Sequence, residues 1–245
     1  MGRIISVVSG KGGVGKTTLS VALSRHLTTM GCRTLLVDTD WGMCSAGYLL
    51  ESGKQVVYTW QDVLDETASF SQAVVQGEGS PDFLATSPNP VSAEQIPLLA
   101  RVLMQAAEQY DFVVVDRLAG LDFKLEQTLG EFLSLVVCTP DPMSAHGAAA
   151  AVTLLKKNGC VDIRLIVNRF VPLIMQKKMT ANLDTLCDQI GAQLLGVVPM
   201  DQQAVTDGLT SAFHPNAPYN KAMDRITRRI TGESIPLPNL KKLLK

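Results

Sequence analysis

The segment Gly10-Lys11-Gly12-Gly13-Val14-Gly15-Lys16-Thr17-Thr18 constrains the fold more than any other part of the chain. From Gly10 to Thr17 it fits the phosphate-loop spacing G-x-x-x-x-G-K-[ST]. Such a loop works between a strand and a helix: the glycines turn successive backbone N–H groups inward without Cβ clashes, and the helix start adds positive potential. Both flanks suit it, since residues 4–8 form a short, mostly apolar run and residues 16–30 follow a helical pattern. In this reading the amides of Gly10, Gly12, Gly13, Val14 and Gly15 wrap phosphate oxygens, and Thr18 completes the loop. Lys16 neutralises the β- and γ-phosphates, and Thr17 offers its hydroxyl to Mg2+.

The rest of the chain alternates short β-branched runs with longer helix-period segments. Strands are expected over 4–8, 34–37, 83–85, 112–115, 135–138, 164–167 and 195–198, and helices over 16–30, 93–109, 144–157, 180–190 and 216–231. That order predicts an α/β, three-layer P-loop NTPase fold: a mostly parallel, twisted sheet with helices on both faces. Ser92 with Gln95 reads as a capping box, and Gly31 and Gly159 as helix stops. With 46% hydrophobic and 18% charged residues, the 245-residue chain has material for a large core and not the composition of a disordered one. Residues 1–232 are expected to form one domain, with 233–245 a Pro-containing linker and short tail.

The net charge of −1 excludes a strongly basic nucleic-acid coat. Its distribution is uneven, −7 over residues 1–150 and +6 over 151–245, which hints at an anionic partner for the later part. Cys32, Cys44, Cys138, Cys160 and Cys187 lack C-x-x-C spacing and read as reduced thiols of a cytoplasmic protein.

Two further signals carry chemistry. Leu35-Leu36-Val37-Asp38-Thr39-Asp40 sets two carboxylates at the end of the second strand, where open α/β sheets bind ligands. Alone the pair equally well caps a turn; beside a phosphate loop, a role at metal or water is preferred. Phe112-Val113-Val114-Val115-Asp116 is an apolar strand ending in an acid, the Walker B arrangement that places Asp116 on Mg2+. Gly120 then stands where its N–H reaches a γ-phosphate.

Lys11, inside the loop, makes the motif the deviant Walker A of the MinD/ParA ATPases, which the chain resembles from Arg3 to about Gly232. The likeness extends through Leu36–Asp40, Asp111–Asp116, Val167-Asn168-Arg169, Gly196–Asp201 and Asn220–Ile226, and lies nearer MinD than the plasmid-partition branch, whose Pro-Gln-Gly is missing. It implies ATP/ADP and Mg2+ as cofactors and a homodimer in the ATP state. Lys11 would reach the partner's phosphates, Asp40 would orient the attacking water, and Asp38 would support the metal's water shell. Asn168 would read adenine, with Pro199 and Asp201 packing beside the base. It also implies a protein effector and an output of cellular placement: of the division site, a flagellum or a pilus. Two departures stand out: Arg117-Leu118-Ala119-Gly120 replaces the usual Pro-containing loop, and Trp41-Gly42-Met43 replaces Ile-Gly-Leu.

Two rival readings remain within the superfamily. A DNA-segregation ATPase would align Lys156-Lys157, Lys177-Lys178 and Arg228-Arg229 on one face. A metal-cofactor assembly ATPase would need a cysteine pair, against which the isolated cysteines speak. Finally, Leu240, Leu243 and Leu244 fall on one face of a helical tail with three lysines, like a shortened membrane-targeting helix. That would put the protein peripherally at the inner face of the cell membrane.

Overall fold

The computed structural model describes residues 1–50, 56–171, 183–201 and 214–237. Among them, eight strands form one sheet in the order β3-β4-β2-β5-β1-β6-β7-β8. These are β1 (Arg3–Val8), β2 (Thr34–Thr39), β3 (Val74–Val75), β4 (Asp82–Leu84), β5 (Phe112–Arg117), β6 (Leu133–Cys138), β7 (Asp162–Phe170) and β8 (Gln193–Pro199). All neighbours are parallel except β3 with β4. The helices are α1 (Lys16–Thr29), α2 (Ala46–Leu49), α3 (Trp60–Leu64), α4 (Phe70–Ala73), α5 (Gln95–Gln109), α6 (Lys124–Thr128), α7 (Pro142–Lys157), α8 (Leu183–Ile190) and α9 (Pro218–Ile230).

Strand residues of opposite parity feed two separate cores, which is why the strands are apolar at nearly every position. Ile4, Val8, Leu35, Val113 and Val115 pack with α5, α7 and α8 on one face. Ile5, Val7, Leu36 and Val114 pack with α1 and α9 on the other. Each fully buried leucine or isoleucine contributes about 1.5–3 kcal/mol, so this two-sided burial anchors the strand ends that carry the site.

The expected strands all form. Several run further than their apolar cores: β2 continues through Asp38 and Thr39 and β5 through Asp116 and Arg117, because Asp38 pairs with Asp116 and Thr39 with Arg117 in register. The helices over 16–30, 93–109, 144–157 and 216–231 shift by one or two residues at their ends, and the described part of 180–190 is α8. The Ser92–Gln95 reciprocal bonds are present at 3.0 and 3.3 Å, though α5 begins only at Gln95. Gly31 and Gly159 sit at φ 87° and 85°, beyond α1 and α7.

The short α2, α3, α4, α6 and two-residue β3 have no counterpart among the expected elements. They are too brief for periodicity to register and are held by tertiary contacts. In α3, for example, Trp60 is fully buried and its indole N–H donates to the Asp38 carbonyl at 3.1 Å. Past α9, Arg228 pairs with Glu233 at 2.9 Å and Arg229 donates to the Ile235 carbonyl at 2.8 Å. Arg229 also bonds the Leu195 carbonyl. The Arg228-Arg229 pair of the expected basic stripe therefore ties down the start of the linker. Lys156 bonds the Gly191 carbonyl. Lys177, Lys178 and the tail leucines Leu240, Leu243 and Leu244 lie outside the described residues.

Candidate nucleotide site

The phosphate loop leaves β1 and enters α1 at the carboxyl edge of the sheet. Its path depends on two close approaches. A Cβ on Gly10 would stand 2.0 Å from the Gly147 carbonyl oxygen of α7, and one on Gly15 would stand 2.4 Å from Asn168 Nδ2. Gly13 and Gly15 also take φ values of 76° and 96°, disfavoured for residues with a side chain. Gly12 and Gly13 are exposed, and nothing lies within 4 Å of a Cβ on Gly13. The loop is thus wedged at both ends and open in its middle. Beside it lies a cavity of about 340 Å3 lined by Lys11, Gly12, Gly13, Val14, Asp141 and Arg169, among others.

Lys16 is 6% exposed. Burial lowers its pKa, and the nearby Asp116 and Asp40 carboxylates oppose that shift. Asp116, fully buried, accepts from the Ser20 hydroxyl at 2.9 Å through Oδ1, while its Oδ2 has no hydrogen-bond partner. Burial raises its pKa to about 7, helped by Asp38 and opposed by the Thr17 and Ser20 hydroxyls and Lys16. Asp40 Oδ1 is likewise buried and unpartnered. A buried acceptor without a donor costs about 1–3 kcal/mol. Around a buried lysine and beneath a glycine cradle, a metal at Asp116 Oδ2 and a water at Asp40 Oδ1 would satisfy both oxygens.

Asp38 sits differently. Its Oδ1 accepts from the Asp40 amide at 2.8 Å and its Oδ2 from the Ala46 amide at 3.2 Å. Burial raises its pKa to about 6 against those two bonds. Both oxygens thus already shape the turn that carries Asp40, the capping alternative.

Gly120 and Asn168 also have partners of their own. The Gly120 amide donates to the Ser9 carbonyl at 3.0 Å. Asn168 Nδ2 donates to the Val14 carbonyl at 2.8 Å and its Oδ1 accepts from the Arg169 amide at 2.9 Å. Asn168 therefore braces the phosphate loop, and Arg169 beside it adopts a strained φ of 54°. Lys11 is half-exposed and forms a 3.4 Å ion pair with Asp141, the N-cap of α7. Burial pushes Asp141 up, but the Thr139 hydroxyl, the Ser144 amide and Lys11 outweigh it and hold the carboxyl below its ordinary range. Pro199 ends β8 in the core, and Asp201 lies close enough to buried Tyr219 to help burial raise its pKa.

Some supporting residues escaped the sequence reading. Ser20 stands one turn after Lys16 on the same helix face, a spacing that would have suggested it. Thr39 Oγ1 donates to the Asp116 carbonyl at 2.8 Å, and Tyr219 Oη to the Thr18 carbonyl at 3.4 Å. No local pattern announces either bond.

A strand-to-helix phosphate loop, two strand-end carboxylates in register and a half-exposed loop lysine define a nucleotide-binding P-loop protein. Comparison with known proteins agrees: residues 5–210 match the CobQ/CobB/MinD/ParA nucleotide binding domain family. The septum site-determining protein MinD of Bacillus subtilis (strain 168) is 31% identical, over 99% of this chain and 94% of its own. Among solved structures, the MinC:MinD cell division complex of Aquifex aeolicus superposes with a TM-score of 0.86 at 25% identity, covering 97% of this chain and 99% of the other. MinD of Pyrococcus horikoshii OT3 with Mg-ADP gives 0.79 at 26%, covering 95% and 97%. The chain belongs to the MinD/ParA nucleotide-binding family, in its MinD-like branch.

Proposed function

We propose that this chain is a slow, partner-stimulated ATPase that dimerises on ATP and positions the cell-division site. The observation that carries the proposal is the buried Lys16–Asp116–Asp40 group under an open glycine loop, with Lys11 at its rim. Mg2+ would offset the charge of the β- and γ-phosphates. Within the chain, Lys16 supplies fixed positive charge, Thr17 and Asp116 hold the metal with Asp38 behind them, and Asp40 aims the attacking water. Asn168 Nδ2 carries a second hydrogen beside the one it gives to Val14 and can offer it to the base, whereas the single Gly120 N–H reaches a γ-phosphate only by turning from or sharing the Ser9 carbonyl. Pro199 and Asp201 belong to the base end, and 1–232 to the ATPase domain.

Lys11 supports the dimer step. Its pair with Asp141 is half-exposed on both sides, and such pairs contribute only about 0–1 kcal/mol. The lysine therefore exchanges Asp141 for a partner's phosphate at little cost, and a charge supplied in trans is worth ~10³–10⁵ in rate in related phosphoryl transfers. Asp40→Ala is expected to keep Mg-ATP bound and to accumulate as dimer on size exclusion, with turnover down by roughly 10²-fold. Lys11→Ala should instead stay monomeric in ATP. Normal turnover in the first variant, or normal dimer in the second, would remove that residue from the mechanism.

The likeness to MinD relatives supports a protein effector, since the Aquifex aeolicus structure pairs MinD with MinC. No described helix is long and apolar enough to cross a membrane. The membrane reading rests on the tail, and the cytoplasmic reading on the unpaired spacing of the cysteines. Three leucines at up to ~1.5–3 kcal/mol each and three lysines at ~1 kcal/mol each near anionic lipid must offset the cost of ordering the segment. One tail then binds marginally, and a dimer with two gains by effective concentration. Sedimentation with anionic liposomes should be several-fold greater in ATP than in ADP and be abolished by deleting residues 240–245. Equal recovery without the tail would sink the membrane reading. Nonspecific duplex DNA is the less favoured surface, because Arg229 is part-buried and turned onto the Leu195 and Ile235 carbonyls, away from the surface.

A further inference from the structure

Immediately after the acid of β5 stands a buried arginine to which the nucleotide reading assigns no role. The Arg117 side chain is 11% exposed. Its Nε donates to Glu126 Oε1 at 2.7 Å and its Nη2 to Glu126 Oε2 at 3.3 Å, a two-pronged ion pair. The same Nη2 donates to the Asp122 carbonyl at 3.2 Å. Glu126, fully buried on α6, accepts a further bond from the Ser6 hydroxyl of β1 at 2.7 Å. One carboxylate therefore joins the end of β5, the first turn of α6 and the middle of β1.

Between Arg117 and α6 runs the loop that passes the phosphate site. Little apolar packing holds its first half, since Leu118 and Leu121 are exposed. It turns through Gly120 at φ 137°, touching the phosphate loop through the Gly120–Ser9 bond. The sequence has no proline to stiffen it. A buried ion pair is poor stabilisation compared with apolar side chains of similar volume. What a fork-on-carboxylate pair adds is direction, because it fixes a plane and an angle as well as a distance.

We infer that Arg117 is a positioning residue: with Glu126 and Ser6 it forms a clasp that holds loop residues 118–122, and the Gly120 amide among them, beside the phosphate loop. The clasp replaces with a side-chain network the stiffness that a proline would give. The inference rests on the nucleotide-site reading, and its test separates the two.

The test uses the full chain with Arg117→Met combined with Glu126→Leu, which removes both charges together and leaves neither buried alone. Arg117→Lys, which keeps the charge but loses the fork, is the second variant and serves alone if the first does not fold. Expected in each folded variant is a kcat at least ten-fold below the parent, with KM for ATP and affinity for Mg-ADP within two-fold, because the phosphate loop keeps its own anchors at Gly147 and Asn168. In the protein without nucleotide, the Gly120 amide should exchange hydrogen at least ten-fold faster, with Val113, Val114 and Val115 unchanged. A merely structural role would lower the thermal midpoint and speed exchange along β5 without splitting kcat from KM. Parent-like kcat and Gly120 protection in a folded variant would overturn the clasp. A parent chain that binds no Mg-ADP would overturn the site reading instead, and Gly120 exchange would still report on the clasp.

Discussion

Lys16→Ala is expected to weaken Mg-ATP binding by roughly 30-fold to several thousand-fold, measured by titration calorimetry, and to abolish ATP-dependent dimer on size exclusion. The range follows from about 2–5 kcal/mol for truncating one partner of a buried charge pair, at ~1.4 kcal/mol per ten-fold. Lys16 is nearly enclosed, so water does not take over its charge. The variant carries an internal control. Lys16 holds the Asp116 pKa down, so without it the Asp116 carboxylate becomes still harder to ionise. The apo variant should therefore be less stable than the parent above pH 7 and recover toward it as the solution is acidified. Parent-like Mg-ATP affinity would refute the assignment of this loop.

Asp116→Asn should abolish Mg2+-dependent turnover, by roughly 10²-fold or more, and change how stability responds to pH. Burial raises the folded pKa of Asp116 to about 7 and of Asp38 to about 6, above the ~3.9 of an unfolded aspartate. The folded state therefore binds more protons than the unfolded state between about pH 4 and pH 7. Stability of the metal-free, nucleotide-free protein falls as pH rises through that window, the reverse of a salt-bridged aspartate. The carboxamide of the variant cannot ionise, so the excess stability at pH 5.5 over pH 7.5 should shrink by at least half in differential scanning calorimetry. For a chain of this size, each 1 kcal/mol removed is about 2–4 °C of midpoint. An unchanged pH dependence would mean that Asp116 is not the group that burial penalises. Added Mg2+ should stabilise the parent most near pH 7.5 and the variant hardly at all.

The elements that were legible and those that were not differ in the range of the interactions that make them. The phosphate loop is nine contiguous residues whose conformational needs are local: glycines for an open backbone, lysine and threonine at the following helix start. Asp38 and Asp116 were readable because an apolar run ending in an acid marks a sheet edge. Their division of labour was not. Only the β2–β5 register sets the two side by side, and only the folded turn shows Asp38 occupied by the Asp40 and Ala46 amides while Asp40 Oδ1 stays unpartnered. Asn168 lies inside β7, which continues past the apolar run, and its bond to Val14 crosses 154 positions of sequence. The four-residue α4 illustrates the same limit: burial of Phe70 and Ala73 and a Ser69 cap hold a helix too short to persist alone.

By itself the sequence determined what repeats locally and what one residue can do alone: the α/β alternation, the deviant loop with Lys11, the acids, and the family they resemble. Tertiary structure decided which donors and acceptors remain to act. Lys11 rests on Asp141, Gly120 on Ser9, Asn168 on Val14, and Arg117 is drawn inward onto Glu126. The physical reason is that a hydrogen bond or a buried charge depends on distance and exclusion of water, both of which arise only when strands far apart in the chain pack in register.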